Sequence, residues 1–291
     1  MNNHRDTIAL GQAAIRDVEH YAGGQYRIRL HAPECAALAR PGSFVHVQCH
    51  PLRPLRRPIS IQRVSTAEGW IEILFKVVGE GTALLAERTV GESLSLLGPI
   101  GNPFRPNHER PRPLLLGGGI GIPPLVFLAE WLQGQPGFHP VAVFGSELPF
   151  PFELTPSRIA LPGAPEGVTV ALSLLEDWHI PNRLTSLKDF PGCFHGYTTQ
   201  LAERWLEALT PDAREEVELF ACGPHPMLEA VAKLAAKYGL PCQVSLEEFM
   251  ACGVGGCAGC TVPVETPSGT AMKRVCVDGP IFDAYSVLEL R

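Results

Sequence analysis

Four cysteines near the end of the chain have the types and spacing to do chemistry: Cys252, Cys257, Cys260 and Cys276, written C-x4-C-x2-C-x15-C. That is the ligand spacing of a plant-type [2Fe–2S] site, in which four thiolates hold two irons. Gly253, Gly255, Gly256 and Gly259 lie between or beside the first three. A loop nearly bare of β-carbons can wrap an inorganic core and turn its N–H groups toward sulfur. Such a centre moves electrons one at a time. Two other uses of the thiols compete. Disulfides fit poorly, because nine cysteines is an odd number, Met1 to Asp6 is polar rather than a basic segment leading into an apolar run, and a chain of this size needs no staples. A structural zinc site is the better rival, but zinc sites usually show two separated C-x2-C pairs. Here three cysteines crowd into nine residues and the fourth is distant.

The rest of the composition narrows the setting. At 291 residues the chain is long enough for about two domains, and 45% hydrophobic content supports sizeable cores. A net charge of −6 argues against a nucleic-acid backbone as partner. No apolar run reaches the ~20 residues that cross a bilayer. Free thiols and a thiolate-bound cluster both fit a reducing cytoplasm. The ten histidines show no ligand spacing and read as solvated or structural.

The elements that must position these groups fall into three stretches. Residues 8–110 read as β-structure. Tyr26 to Leu30 and Phe44 to Val47 alternate, Trp70 to Val78 is a longer apolar strand, and Leu94 to Leu97 follows a turn at Gly91-Glu92. Short strands punctuated by Gly and Pro predict an antiparallel barrel or sandwich. Asn102 to Pro113, with its prolines and charges, reads as a linker or exposed loop. Residues 111–243 change rhythm. Strands are expected at Leu114–Leu116, Val141–Phe144, Val168–Leu175 and Glu218–Ala221, and helices at Pro123–Gln133, Thr199–Leu209 and His225–Tyr238, the last stopped by Gly239. Alternating strands and helices predict a parallel α/β nucleotide-binding sheet. Pro149 to Gly167 holds five prolines and no period, and reads as an irregular loop. Residues 244–291 form the cysteine module. Two short strands, Thr261–Val264 and Lys273–Val275, joined by a turn at Pro267 to Gly269, would return Cys276 to the other three. So small a unit depends on its metal to hold it folded.

Four further motifs carry binding chemistry. Arg57-Pro58-Ile59-Ser60 offers a planar fork of donors for a pyrophosphate, then a fixed backbone beside a flat ring; alone it is equally a surface arginine before an edge strand. Gly79-Glu80-Gly81-Thr82 places glycines before a helix with Thr82 as its N-cap, an anion cradle or a plain turn. Gly117-Gly118-Gly119-Ile120-Gly121 lies between a strand and a helix, as a dinucleotide phosphate site requires, though it departs from G-x-G-x-x-G. Glu147 follows the next strand, where an acid accepts bonds from a ribose hydroxyl and repels a 2′-phosphate, favouring NAD over NADP. Cys222-Gly223-Pro224 sits at a strand's carboxyl end, where open α/β sheets bind ligands; equally, the cysteine is a small buried residue.

Taken together, RPxS, GxGT, GGGIG and CGP resemble the ferredoxin reductase superfamily. The run Glu248 to Cys260 (EFMACGVGGCAGC), with Val275 to Phe282 (VCVDGPIF), narrows this. It is similar to the electron-transfer subunits of NAD-dependent dihydroorotate dehydrogenases, over nearly the whole chain from about Gly11 to Phe282. The resemblance implies an N-terminal FAD-binding β-barrel, a ferredoxin-reductase-like NAD domain and a C-terminal [2Fe–2S] module. It implies that Arg57, Pro58, Ile59 and Ser60 bind FAD, that Leu74, Phe75 and Lys76 line it, and that Gly81 and Thr82 hold its pyrophosphate. By the same resemblance Gly117, Gly118, Gly119, Gly121 and the Cys222 region receive NAD, and Cys252, Cys257, Cys260 and Cys276 ligate the cluster. The implied partner is an FMN-containing catalytic subunit that oxidises dihydroorotate to orotate in pyrimidine synthesis, assembled as a heterotetramer of two of each. Pro149 to Gly167 and the N-terminus are longer than the family pattern, and neither falls in a motif.

Nicotinamide exchanges electrons in pairs and the cluster singly; a flavin does both and must stand between them. The expected order is therefore partner flavin, cluster, FAD, NAD, with no side chain here acting as general acid or base. The alternatives are a flavin and iron–sulfur reductase module serving a hydrogenase, sulfite reductase or ferredoxin, and a non-enzymatic scaffold built on structural zinc.

Overall fold

Strand follows strand through the first hundred residues, as the alternation predicts. The computed structural model describes residues 8–288; the polar start of the chain and the last residues of the cysteine module lie outside the described residues. β1 (Ala9–Tyr21), β2 (Gln25–His31), β3 (Phe44–Gln48), β4 (Arg57–Ser65), β5 (Trp70–Lys76) and β6 (Ser93–Ile100) close into a barrel of order β1-β2-β5-β4-β3-β6. Every pairing is antiparallel. Alternate residues fill the interior: Ile15, Ile28, Leu30, Val45, Ile61, Ile73 and Leu94 are all buried. Register shifts at Ile15/Asp17, Phe44/His46 and Ile61/Arg63 bend the strands enough to close the ring. Glu72 of β5 is buried with its charge met by Arg27 and by Arg29, the latter at 2.7 Å. Two short helices decorate the barrel, α1 (Pro33–Leu38) and α2 (Glu80–Ala86).

The middle of the chain forms a second unit, Arg105–Val244, continued after Asp283. Its strands are β7 (Arg112–Gly118), β8 (Val141–Gly145), β11 (Asn182–Ser186), β12 (Phe194–His195), β13 (Val217–Cys222) and β14 (Cys242–Ser245), in the order β12-β11-β8-β7-β13-β14. The pairs β7–β8, β8–β11, β11–β12 and β7–β13 are parallel. The order reverses at β7, which has β8 on one side and β13 on the other. α3 (Ile122–Gln133), α5 (Thr198–Ala208) and α7 (His225–Tyr238) pack on this sheet, and the short α6 (Pro211–Glu215) stands between α5 and α7 in the chain. α7 buries Leu228, Val231, Ala232, Leu234 and Ala235 on one face and ends at Gly239, whose φ of 66° is the left-handed cap expected there.

Two expectations need correcting. Val168–Leu175 is not one strand: β10 (Val170–Leu172) pairs with β9 (Leu154–Pro156), then α4 (Ser173–Asp177) begins, because Ser-Leu-Leu-Glu-Asp prefers a helical turn once Asn182 has taken the Leu172 N–H at 2.7 Å. That pairing also gives part of the Pro149–Gly167 stretch an ordered partner. Asn102–Pro113 is irregular and partly exposed, as expected, and the break between the two units falls within it after Phe104, though several of its residues are held in place. The Asn102 amide donates to the carbonyls of Val277 and Asp278, Phe104 is buried, and Asn107 N–H is held by Glu218. Thr82 is not an N-cap. α2 starts earlier, with Gly79 as its cap, and the Thr82 hydroxyl in the third helical position takes the Gly79 N–H at 3.2 Å.

The last stretch returns to the first unit, which comprises the described residues through Phe104 together with Ser245–Phe282. After the cysteine loop, β15 (Thr261–Thr266) and β16 (Gly269–Arg274) form an antiparallel hairpin. Asn102 N–H donates to Gly279 O at 2.7 Å, and a side chain on Gly42 would meet Ile281 at 3.0 Å, so the returning segment is seated directly on the barrel.

Candidate functional site

Hairpin β15–β16 explains how a cysteine fifteen residues away rejoins the other three. Thr261 lies opposite Arg274, and Val275 N–H donates to Cys260 O at 2.9 Å, so Cys276 emerges beside Cys260. Their sulfurs stand 3.4 Å apart and both residues are buried. Two thiolates on one tetrahedral metal at ~2.3 Å would stand roughly 3.8 Å apart, so this pair suits a shared metal. At the loop's start, Cys257 N–H donates to Cys252 Sγ at 3.4 Å. Among the described residues no three His, Cys, Asp or Glu side chains converge as a site for a single metal ion. The loop thus brings one sulfur pair together, Cys260 with Cys276, and sets the Cys257 backbone against Cys252.

Backbone N–H groups aim at these sulfurs, as a bare loop allows. Burial raises the Cys252 thiol, but the N–H groups of Val254, Cys257 and Gly256 outweigh it and bring the thiol down to about 7. Gly259 N–H points at Cys257 Sγ at 3.4 Å. Burial and the neighbouring Cys260 push Cys276 up to about 12, against the pull of the Gly255 N–H. Thiolates facing donors are the chemistry that an iron–sulfur centre requires, so the residues fit the group. The glycines are not all needed for the same reason. Gly253 and Gly255 have φ of 68° and 78°, while the third left-handed position belongs to Ala258 at 53°. That is a sparsely populated conformation costing about 1 kcal/mol or more for a residue with a β-carbon. Arg274 ties the loop down by donating to Gly255 O at 3.0 Å.

One histidine is structural in a way that the sequence does not specify. His46, on β3 between Val45 and Val47, is fully buried. Its ring faces the backbone of Met250 and Cys252, yet neither nitrogen closes a hydrogen bond of good geometry. Burial and the nearby Arg56 hold the imidazole down to about 4, so the ring is neutral. Only contact with a loop two hundred residues away marks it, and no local pattern could have found it.

On the barrel, the RPxS and GxGT motifs meet. Arg57 opens β4 opposite Val47, and a β-carbon on Gly81 would lie 2.7 Å from Arg57 Nε. Gly81 is therefore the gap through which the guanidinium passes. Arg57 donates to the carbonyls of Leu55 and Arg56 at 3.1 and 3.2 Å. Pro58 lies opposite His46, Ile59 is buried, and Ser60 lies opposite Phe44. The side chains of Leu74 and Phe75 are buried, with Phe75 stacked on Tyr26 at 5.6 Å between ring centroids, so these two positions present backbone rather than side chain to a ligand. Lys76 is half-buried at the end of β5, opposite Gln25.

In the second unit the two nicotinamide motifs are brought together at the strands' carboxyl ends. Gly117 and Cys222 are register partners in β7 and β13. A β-carbon on Gly121 would land on the Cys222 carbonyl, and one on Gly118 would land on Met227. Gly119, with φ of 55°, faces open space at the start of the turn into α3, where Pro123 and Pro124 occupy the first helical turn. This is the crevice at a topological switch point. Cys222 and Gly223 are both buried, packed beside Gly121 and Gly118. Glu147 accepts the Leu187 N–H at 3.3 Å.

Comparison with known proteins adds three findings. Residues 247–288 match the model of the iron–sulfur cluster binding domain of dihydroorotate dehydrogenase B. The electron transfer subunit of dihydroorotate dehydrogenase B (NAD(+)) from Desulforamulus reducens is 31% identical over 284 residues, 95% of this chain and 97% of that one. Its counterpart from Bacillus caldolyticus is 36% identical over 270 residues, 90% and 92% of the two chains. Among solved structures, an NADH-dependent reduced ferredoxin–NADP oxidoreductase studied for flavin-based electron bifurcation superposes with a TM-score of 0.76 at 25% identity, covering 95% of this chain and 89% of that one. A ferredoxin reductase of carbazole 1,9a-dioxygenase shares the fold, with a TM-score of 0.61 at 21% identity over 80% of this chain and 67% of that one.

Proposed function

From the premise that this chain belongs to the family of electron-transfer subunits of NAD(+)-dependent dihydroorotate dehydrogenase B, we propose that it links a dihydroorotate-oxidising catalytic subunit to NAD(+) in pyrimidine synthesis. The carriers, in order, are the FMN of the catalytic subunit, [2Fe–2S], FAD and NAD(+). The cluster exchanges single electrons, the nicotinamide takes a pair, and the flavin between them does both. In this reading residues 8–110 hold FAD, 111–243 receive NAD and 244–291 hold the cluster.

The chain's own groups position and tune; none moves a proton in the oxidation. Arg57 holds the FAD pyrophosphate, and Gly81 and Thr82 supply backbone donors on its other side. Pro58, Ile59 and Ser60 run along the ring system, and the backbone of Leu74 to Lys76 lines it. Gly117, Gly118, Gly119 and Gly121 admit the NAD phosphates beside the backbone of Cys222. Cys252, Cys257, Cys260 and Cys276 ligate the irons, with loop N–H groups setting the potential. Cys257 and the almost fully exposed Phe249 at 94% face outward, where the partner subunit docks. Two copies of each subunit make the complete enzyme. All nine cysteines are outside disulfides, which supports a reducing cytoplasm. Among the described residues no helix is long and apolar enough to cross a membrane.

The observation that carries this reading is that the cysteine loop and the RPxS strand belong to one compact unit, so a one-electron centre and a flavin are neighbours. The test is the chain co-purified anaerobically with its catalytic subunit. Iron and labile sulfide should each approach two per chain by the stoichiometry of the site. Dithionite should produce a paramagnetic signal, and dihydroorotate should reduce NAD(+). A zinc-only preparation, or a reduced sample without that signal, removes the relay.

A further inference from the structure

Histidine is an expensive choice at position 46. Its neighbours Val45 and Val47 are fully buried apolar residues of β3, and the imidazole shares their burial with both nitrogens unpaired. A leucine would fill comparable volume without leaving polar atoms stranded. The ring is not adrift, however. It stands on the strand position directly opposite Pro58, inside the Arg57–Ser60 motif, and the Arg56 guanidinium donates to its carbonyl at 3.3 Å and to Ser95 O at 2.7 Å. On its other side runs the cysteine loop. A β-carbon on Gly253 would come within 2.8 Å of His46 Nδ1, so the loop crosses the ring where no side chain fits, in the left-handed conformation that only glycine adopts freely.

We propose that His46 is the positioning residue of the cluster loop: its N–H closes onto the Met250–Cys252 backbone when the four thiols hold their metal, fixing the first ligand cysteine against the strand pair that carries the flavin motif. A neutral imidazole has one N–H to give and one lone pair to receive. It is a fully buried polar side chain with Pro58 of the flavin motif beside it on one hand and Gly253 of the cysteine loop on the other. Its effect is to set where Cys252 lies relative to the flavin strand, a role that volume alone does not serve. The inference rests on the cluster assignment above.

Three variants of the holo complex test it: His46→Leu, which keeps the bulk and loses the donor, and His46→Asn and His46→Gln, which place an amide N–H near Nδ1 and Nε2. The readouts are the rate of iron release to a chelator, the paramagnetic line shape of the dithionite-reduced cluster, and flavin content. Expected is iron release on the order of fivefold faster in His46→Leu, the loss of one ordinary hydrogen bond, with an altered line shape and unchanged flavin. One amide variant should restore wild-type release and line shape. Wild-type behaviour of His46→Leu in both readouts overturns the proposal, and so does equal impairment of all three variants, which would mean shape alone matters. If His46→Leu loses flavin as well and fails to fold, the amide pair decides: recovery in one upholds the hydrogen bond, impairment in both rejects it. A wild-type complex without iron or signal would instead remove the cluster assignment itself.

Discussion

Arg57 and Gly81 show how single residues divide the work. The arginine supplies charge and a planar donor fork, and the glycine supplies only its lack of a β-carbon, yet neither motif is usable without the other. Arg57→Ala should weaken FAD retention about tenfold to a hundredfold, the range expected when a charge-assisted hydrogen bond is removed. Flavin content after gel filtration measures it, and unchanged content would show that the pyrophosphate lies elsewhere. The same scale shows where sequence reading stops. Four cysteines with their spacing announce a two-metal site by themselves. Their glycines mislead slightly, since one of the three left-handed positions in the loop is Ala258. His46 is invisible, because its significance comes from a loop far along the chain.

At the scale of elements, apolar alternation made β2, β3, β5 and the helices α3, α5 and α7 legible to within a residue or two, and the middle of β6. Strand β11 escaped. Asn182-Arg183-Leu184-Thr185-Ser186 carries no apolar run, yet all five residues are buried between β8 and β12. Its polar atoms are satisfied instead of avoided. Asn182 accepts from Leu172 N–H at 2.7 Å and donates to Ile180 O at 3.1 Å, Arg183 donates to Val168 O at 3.0 Å and Ile159 O at 2.8 Å, and Ser186 donates to Ser146 O at 2.6 Å. Hydrophobicity patterns cannot see a strand held by side-chain hydrogen bonds, because the partners lie outside the strand, from two to forty residues away. Asn182→Leu should therefore destabilise the protein by about 2–4 kcal/mol despite raising apolar content, since two buried backbone groups lose their partners. Urea unfolding of the second unit checks this; a neutral or stabilising result would mean that the loop re-forms those bonds with water.

For the whole molecule, the division of labour predicts separable losses. Cys257→Ser should abolish the cluster and turnover linked to the catalytic subunit, while FAD-dependent oxidation of NADH by an artificial acceptor persists at near wild-type rate. Parallel assays of the two activities on one preparation decide it, and loss of both would mean that flavin and nicotinamide chemistry depend on the metal module. The grouping of the chain into two units was the least legible feature. The sequence shows three successive stretches of distinct character, and nothing local to the third says that it packs with the first. The contacts that decide it, Asn102 with Val277 to Gly279 and Gly42 with Ile281, join residues more than 170 positions apart.

That seating of the carboxyl-terminal segment has a consequence for biogenesis. A ribosome delivers the barrel strands first, then Arg105–Val244 of the other unit, and only afterwards Ser245–Phe282. Throughout that interval the patch around Gly42, Phe44 and Gly101 awaits Pro280 and Ile281 and is bare to chaperones. Iron starvation would then be felt as chains whose Ser245–Phe282 segment is incompletely seated and open to proteolysis.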